Sequence, residues 1–194
     1  AVTAIGARLG ETALAANAVI MQFFLFFSYF MDGMAFTGEA LVGRFAGASD
    51  SLMLRRCVRR ILVWASAIAA VFFVVYVIGY RGIICLITDQ PQVIDYACTL
   101  HWFIILIPPV TVAAFVFDGF FIGLTATRSM LVVTLASAIV FFSICFIHLT
   151  DGTLSISLPS NTTLWTAFLL YLLCRGLFLA LLTPRSIRAV AFTK

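Results

Sequence analysis

Residues 28–47, SYFMDGMAFTGEALVGRFAG, place two carboxylates, Asp32 and Glu39, inside a long apolar run. On insertion scales an acid at bilayer depth costs roughly 2.5–3.5 kcal/mol, so such residues are rarely incidental. At about 100° per residue, the step from Asp32 to Glu39 closes to within roughly 20°, which sets both acids on one helix face about 10 Å apart along the axis. Ser28 and Gly43 fall on the same stripe, and Phe27, Phe30, Met34 and Leu41 lie on the other side. The pattern predicts a helix whose acids look into a protein interior while its apolar side meets lipid or other helices. Gly33, next to Asp32, is expected to give this helix a point of flexure and to let a neighbouring group come close to the backbone.

The whole chain has the same character. Of its 194 residues 63% are apolar and 10% charged, with a mean hydropathy of +1.15. Soluble domains average about 25% charged residues, so the composition excludes an ordinary soluble fold and predicts an all-α polytopic membrane protein. The chain starts at Ala1 without an initiator Met, and its first dozen residues read as a loop. It is therefore expected to be a fragment lacking an N-terminal part.

Five apolar segments can be drawn, at about 12–46, 61–80, 96–124, 130–149 and 164–182. Each is long enough to cross a hydrocarbon layer of about 30 Å, and the first exceeds it, which predicts tilt or extension beyond the bilayer. Pro108 and Pro109 interrupt the third segment and are expected to bend it and serve as a hinge. Pro184 is expected to stop the fifth. The polar stretch 151–163, DGTLSISLPSNTT, reads as a loop in which Ser160 or Asn161 caps the fifth helix, and a cap is the better reading of the sequon at Asn161.

Basic residues set the orientation. Arg44, Arg55, Arg56, Arg59 and Arg60 flank the first connection, Arg128 lies in the third, and Arg185, Arg188 and Lys194 follow the fifth segment. All three groups fall on one side if every segment spans. The other side has Arg8 and Arg81 with Glu11, Asp89, Asp95 and Asp151. The positive-inside rule then gives an outside start, five crossings and a cytoplasmic C-terminus. The net charge of +4 thus marks loops and forms no basic stripe of the kind nucleic acid requires.

Further polar groups lie in the apolar runs. Asp118, in FVFDGFFIG, reads either as a cavity-facing acid or as an interfacial carboxylate near the helix end. Arg175, in LLCRGLFLA, reads either as the partner of Asp118 or Glu39 or as a cation snorkelling to the headgroups. His101 and His148 read as interfacial residues. Cys57, Cys85, Cys98, Cys145 and Cys174 are odd in number and widely spaced, with no CxxC and no Cys/His cluster, so no metal site is expected. P-loop, nucleophile-elbow and HExxH patterns are missing from the sequence, which speaks against an enzyme and against a cofactor.

Four runs together, LGETALAANAVIMQ, DGMAFTGEALVGRFAGASD, FVFDGFFIGLTATRSM and LLCRGLFLALL, resemble the C-terminal half of a MATE-type multidrug and toxin extrusion transporter of the DinF-like branch. The resemblance covers nearly the whole chain. It implies two six-helix lobes around a central cavity, with these five helices forming most of the second lobe and residues 1–11 the tail of the helix before them. It also implies a multi-pass protein of the inner (plasma) membrane with a cytoplasmic C-terminus, exporting organic and often cationic compounds against protons or sodium ions. By position, Asp32 and Glu39 match the acids of the family's DG-x5-E pattern, and Asp118 matches its tenth-helix DG acid. In this branch a first-helix Asp of the N-terminal lobe is the usual proton site, and that lobe is absent from this sequence.

The physical reading agrees with antiport. Desolvation disfavours the charged form of a buried carboxylate, so a proton and a cationic substrate compete for it. Asp32, Glu39 and Asp118 are the candidate cation, proton or substrate sites, with Ser28, Gly33 and Arg175 as supporting residues. Two alternatives stand beside it. A flippase for lipid-linked precursors would need cavity cations for pyrophosphate, and an intramembrane lipid-modifying enzyme would need clustered polar residues at a membrane face.

Overall fold

Long unbroken apolar stretches dictate long helices, because backbone groups in lipid must be satisfied within the segment. The computed structural model describes residues 10–150, 153–156 and 160–191. In chain order the elements are α1 (Glu11–Gly47), α2 (Ser51–Ile87), α3 (Pro91–Thr99), α4 (His101–Gly123), α5 (Thr127–Phe146), β1 (Ile147–Thr150), β2 (Thr153–Ile156) and α6 (Asn161–Ala191). Five of the helices, all but α3, are long and apolar enough to cross a membrane. Arg8, Asp151 and Lys194 lie outside the described residues.

The first span agrees closely with the sequence reading, and the others differ in informative ways. α2 begins ten residues before the expected Ile61 and runs to Ile87. Asp50 starts it by accepting a bond from the Met53 N–H at 3.0 Å, and at about 1.5 Å per residue its 37 residues reach about 55 Å, well past the hydrocarbon. The expected third segment is two helices, broken at Leu100. There Thr99 Oγ1 donates to the Tyr96 carbonyl at 2.7 Å and His101 Nδ1 to the Cys98 carbonyl at 2.7 Å, so side chains compete for carbonyls the helix would otherwise use. The ring of His101 also stacks on Tyr80, consistent with a structural rather than a ligand role.

The fourth span ends at Phe146 instead of Leu149. Residues from Ile147 enter an antiparallel hairpin in which Ile147 pairs with Ile156 and Thr150 with Thr153. Pro184 does not stop the last helix, which continues to Ala191. The rule that proline ends a helix holds in water, but interior prolines are tolerated in membrane spans. Pro184 removes the N–H that would bond the Ala180 carbonyl, and one residue earlier Thr183 Oγ1 donates to the Leu179 carbonyl at 2.8 Å. Likewise α4 runs through Pro108 and Pro109, with Thr111 Oγ1 donating to the Ile107 carbonyl at 2.8 Å. Ser160 caps α6 through the Thr163 N–H.

α4 is the central element, packed against α1, α2 and α6, while α5 leans mainly on α6. In lipid no hydrophobic force drives helices together, so close packing and polar links must do so. Phe23, Phe27, Phe72 and Tyr76 form an edge-to-face cluster between α1 and α2, where the Tyr76 hydroxyl donates to the Phe23 carbonyl at 2.8 Å. Trp165 Nε1 donates to Asn17 Oδ1 at 2.7 Å, tying α6 to α1. Large apolar groups such as Ile78, Leu86 and Ile139 remain exposed on the outer faces, where they suit lipid.

Candidate functional site

Three acids and one arginine lie within the spans at positions the sequence singles out. The structure separates them into two environments. Asp118 on α4 and Arg175 on α6 form an ion pair, Oδ2 to Nη2 at 2.9 Å, with side chains 21% and 20% exposed. This selects Asp118 from the two partners open to Arg175. Asp118 Oδ1 and Arg175 Nε are buried and have no hydrogen-bond partner among the described residues.

Each member of the pair is followed by a glycine that brings a second helix close. A Cβ at Gly119 would collide with the carbonyl oxygen of Ala35 on α1, and one at Gly123 would sit 2.5 Å from the carbonyl oxygen of Glu39. A Cβ at Gly176 would lie 2.8 Å from the Ala114 nitrogen on α4. The i, i+4 spacing of Gly119 and Gly123 produces one smooth stripe down α4, against which the α1 backbone rests. The DG and RG dipeptides thus each join a charge to a close helix crossing. Gly43 shares in this contact, since a Cβ added there would lie 3.3 Å from the Gly123 carbonyl oxygen.

Asp32 and Glu39 occupy the border of that contact. The side of α1 turned to the core is Phe27, Met31, Gly38 and Val42, all buried, while Tyr29, Gly33, Phe36 and Ala40 are exposed. The two acids, both half-buried, flank the exposed face. Of the apolar side of α1, Phe27 meets a neighbouring helix, packing on Phe72 of α2, while the acids edge the open face. Neither acid makes an ion pair or a side-chain hydrogen bond among the described residues.

The supporting residues divide similarly. Ser28 is buried, and its hydroxyl donates to the Leu25 carbonyl of its own helix at 2.8 Å. Gly33 faces open space, since an added Cβ would meet nothing within 4 Å, and α1 passes through it without a break. The close-packing glycines are instead Gly119, Gly123 and Gly176. Their spacing was available in the sequence, but their partner helices were not. Among the described residues no group of three or more His, Cys, Asp or Glu side chains could hold a metal ion.

Five helices long and apolar enough to cross a membrane define a multi-pass membrane protein. The MatE family model matches residues 1–147, and the chain belongs to that family. It is 33% identical over 185 residues to DNA damage-inducible protein F of Escherichia coli (strain K12), covering 95% of this chain and 39% of that protein. It is 28% identical over 135 residues to Protein DETOXIFICATION 45, chloroplastic, of Arabidopsis thaliana, covering 68% of this chain and 24% of that one. The chain thus spans well under half the length of these curated relatives.

Proposed function

We propose that this chain is most of the C-terminal lobe of a secondary transporter that exports small organic, mainly cationic compounds in exchange for protons or sodium ions. The observation that carries the reading is the contrast between the acids. Asp118 has its own counter-charge in Arg175, whereas Asp32 and Glu39 border an open helix face with none among the described residues. An acid without a protein cation favours a proton or an external cation, and competition between the two at one place gives exchange. Tyr29 and Phe36 on the same face, 69% and 68% exposed, supply aromatic surface for an organic cation. In this reading an N-terminal lobe faces α1 across the cavity, and rocking of the lobes alternates access. Asp118 and Arg175 act as a pair whose exchange of partners accompanies that motion. The membrane is the inner (plasma) membrane, with the C-terminus in the cytoplasm. A flippase for pyrophosphate-linked lipids is less well supported, because Arg175 is already engaged by Asp118.

The experiment is efflux of a fluorescent cation by the complete protein, normalised to inserted protein. Asp32→Asn should lose most efflux at unchanged protein amount, and Asp32→Glu should keep part of it. Unchanged normalised efflux in Asp32→Asn would sink the assignment.

A further inference from the structure

The start of α2 carries a charge pattern that transport does not explain. Arg55, Arg56, Arg59 and Arg60 fall within its first ten residues, with no acid in the first turn. Cations at a helix N-terminus oppose the macrodipole, and the i, i+4 pairs Arg55/Arg59 and Arg56/Arg60 repel each other. Asp50, the acid at this helix start, is engaged as the cap on the Met53 N–H. All four arginines are exposed and make no ion pair among the described residues.

Two apolar clefts meet along Arg56 and Arg60. One, of about 350 Å³, runs between α1 and α2 with Leu41, Phe45 and Met53 in its wall. The other, of about 370 Å³, is lined by the same two arginines and Arg59, against Val63 and Trp64. The 20 residues from Ile61 to Tyr80 cover about 30 Å, the hydrocarbon thickness, so Arg56 and Arg60 stand at headgroup level. Trp64, 67% exposed, sits at the depth aromatic belts occupy.

We propose that Arg56 and Arg60 bind the phosphate of an anionic glycerophospholipid whose acyl chains lie in the two apolar clefts. The anion offsets both the helix-end field and the arginine repulsion, and the chains fill walls that a soluble phosphate would leave bare. A role in orientation alone would require only the number of arginines. It would not place two of them in the lining of two apolar clefts.

The test is native mass spectrometry of the detergent-purified complete protein, titrated with dioctanoyl phosphatidylglycerol, dioctanoyl phosphatidylcholine or glycerol phosphate. A phosphatidylglycerol adduct is expected that Arg56→Gln/Arg60→Gln weakens about tenfold or more. Arg55→Gln, outside both clefts, should change it less than about twofold. A second variant separates binding from folding. Met53→Glu sits at an exposed position three residues after the Asp50 cap, where a glutamate favours the helix start, yet it sets a carboxylate beside the phosphate. It should keep or raise the thermal midpoint while abolishing the adduct. The proposal is overturned if Arg55→Gln matches the double variant, if phosphatidylcholine binds equally well, if glycerol phosphate competes fully, or if Met53→Glu retains the adduct.

Discussion

Arg175 meets Asp118 at 2.9 Å, and the residue after each is a glycine lying against the backbone of another helix. The ion pair and the two closest helix crossings are thus one local assembly joining α1, α4 and α6. A charge in a span is costly without a partner, and a partner can be reached only when the helices come close. The glycines provide that approach.

Removing one member of the pair should be worse than removing both. Arg175→Gln or Asp118→Asn alone leaves a buried charge uncompensated, while the double variant leaves two neutral groups. A thermal-stability cycle in detergent should show a coupling of about 1–3 kcal/mol. Additive single losses would mean that the pair contributes nothing as a pair.

Glycine substitutions should sort by the space around them. Gly119→Ala and Gly123→Ala force a methyl into the α1 backbone and should each destabilise by about 1–3 kcal/mol or more. Gly33→Ala enters open space in a helix interior and should be neutral or gain up to about 1 kcal/mol. Equal effects at Gly33 and Gly119, read as unfolding midpoints, would contradict the close contact.

Thr125 ends α4 with φ of 53°, a left-handed conformation that β-branched residues rarely adopt. The same turn follows α1, where Ser49 has φ of 54°. A side chain in this region costs about 1–2 kcal/mol, and glycine returns part of the gain as chain entropy. Thr125→Gly should therefore raise stability by about 0.5–1 kcal/mol, and Thr125→Ala should gain little. A lower midpoint for Thr125→Gly would argue against the left-handed turn.

The arginine distribution also makes a prediction about sidedness. In whole cells, single cysteines placed at Arg56 and Arg185 should be shielded from an impermeant thiol reagent added outside, while one at Ser155, on the β2 strand, should react. Labelling of all three would overturn five crossings with a cytoplasmic C-terminus.

The spans were legible because lipid leaves the backbone few alternatives, so apolar length alone nearly determines a helix. The faces of those helices were less legible. Phe27 and Phe30 look alike in sequence, yet Phe27 is buried beside Phe72 and Phe30 is 49% exposed. Lipid tails and protein cores are equally apolar, so hydropathy cannot tell them apart. The choice of Arg175 partner depended on helix register, which is set by Gly119, Gly123 and Gly176 against particular turns of α1 and α4. Pro184 misled because a rule from aqueous helices was carried into a span. The acids themselves stood out at once, since charge in an apolar run is the one signal that composition does not blur.

The seam between α1 and α4 has a mechanical consequence. At Gly119 and Gly123 it is made of backbone against backbone, and beside them Phe120 packs over Gly38. A slip of one turn would bring Phe115 into register with a groove shaped for glycine. The glycines thus favour one register between α1 and α4. A shift of α1 near Asp32 is thus passed to α4 at Gly119, the residue beside Asp118.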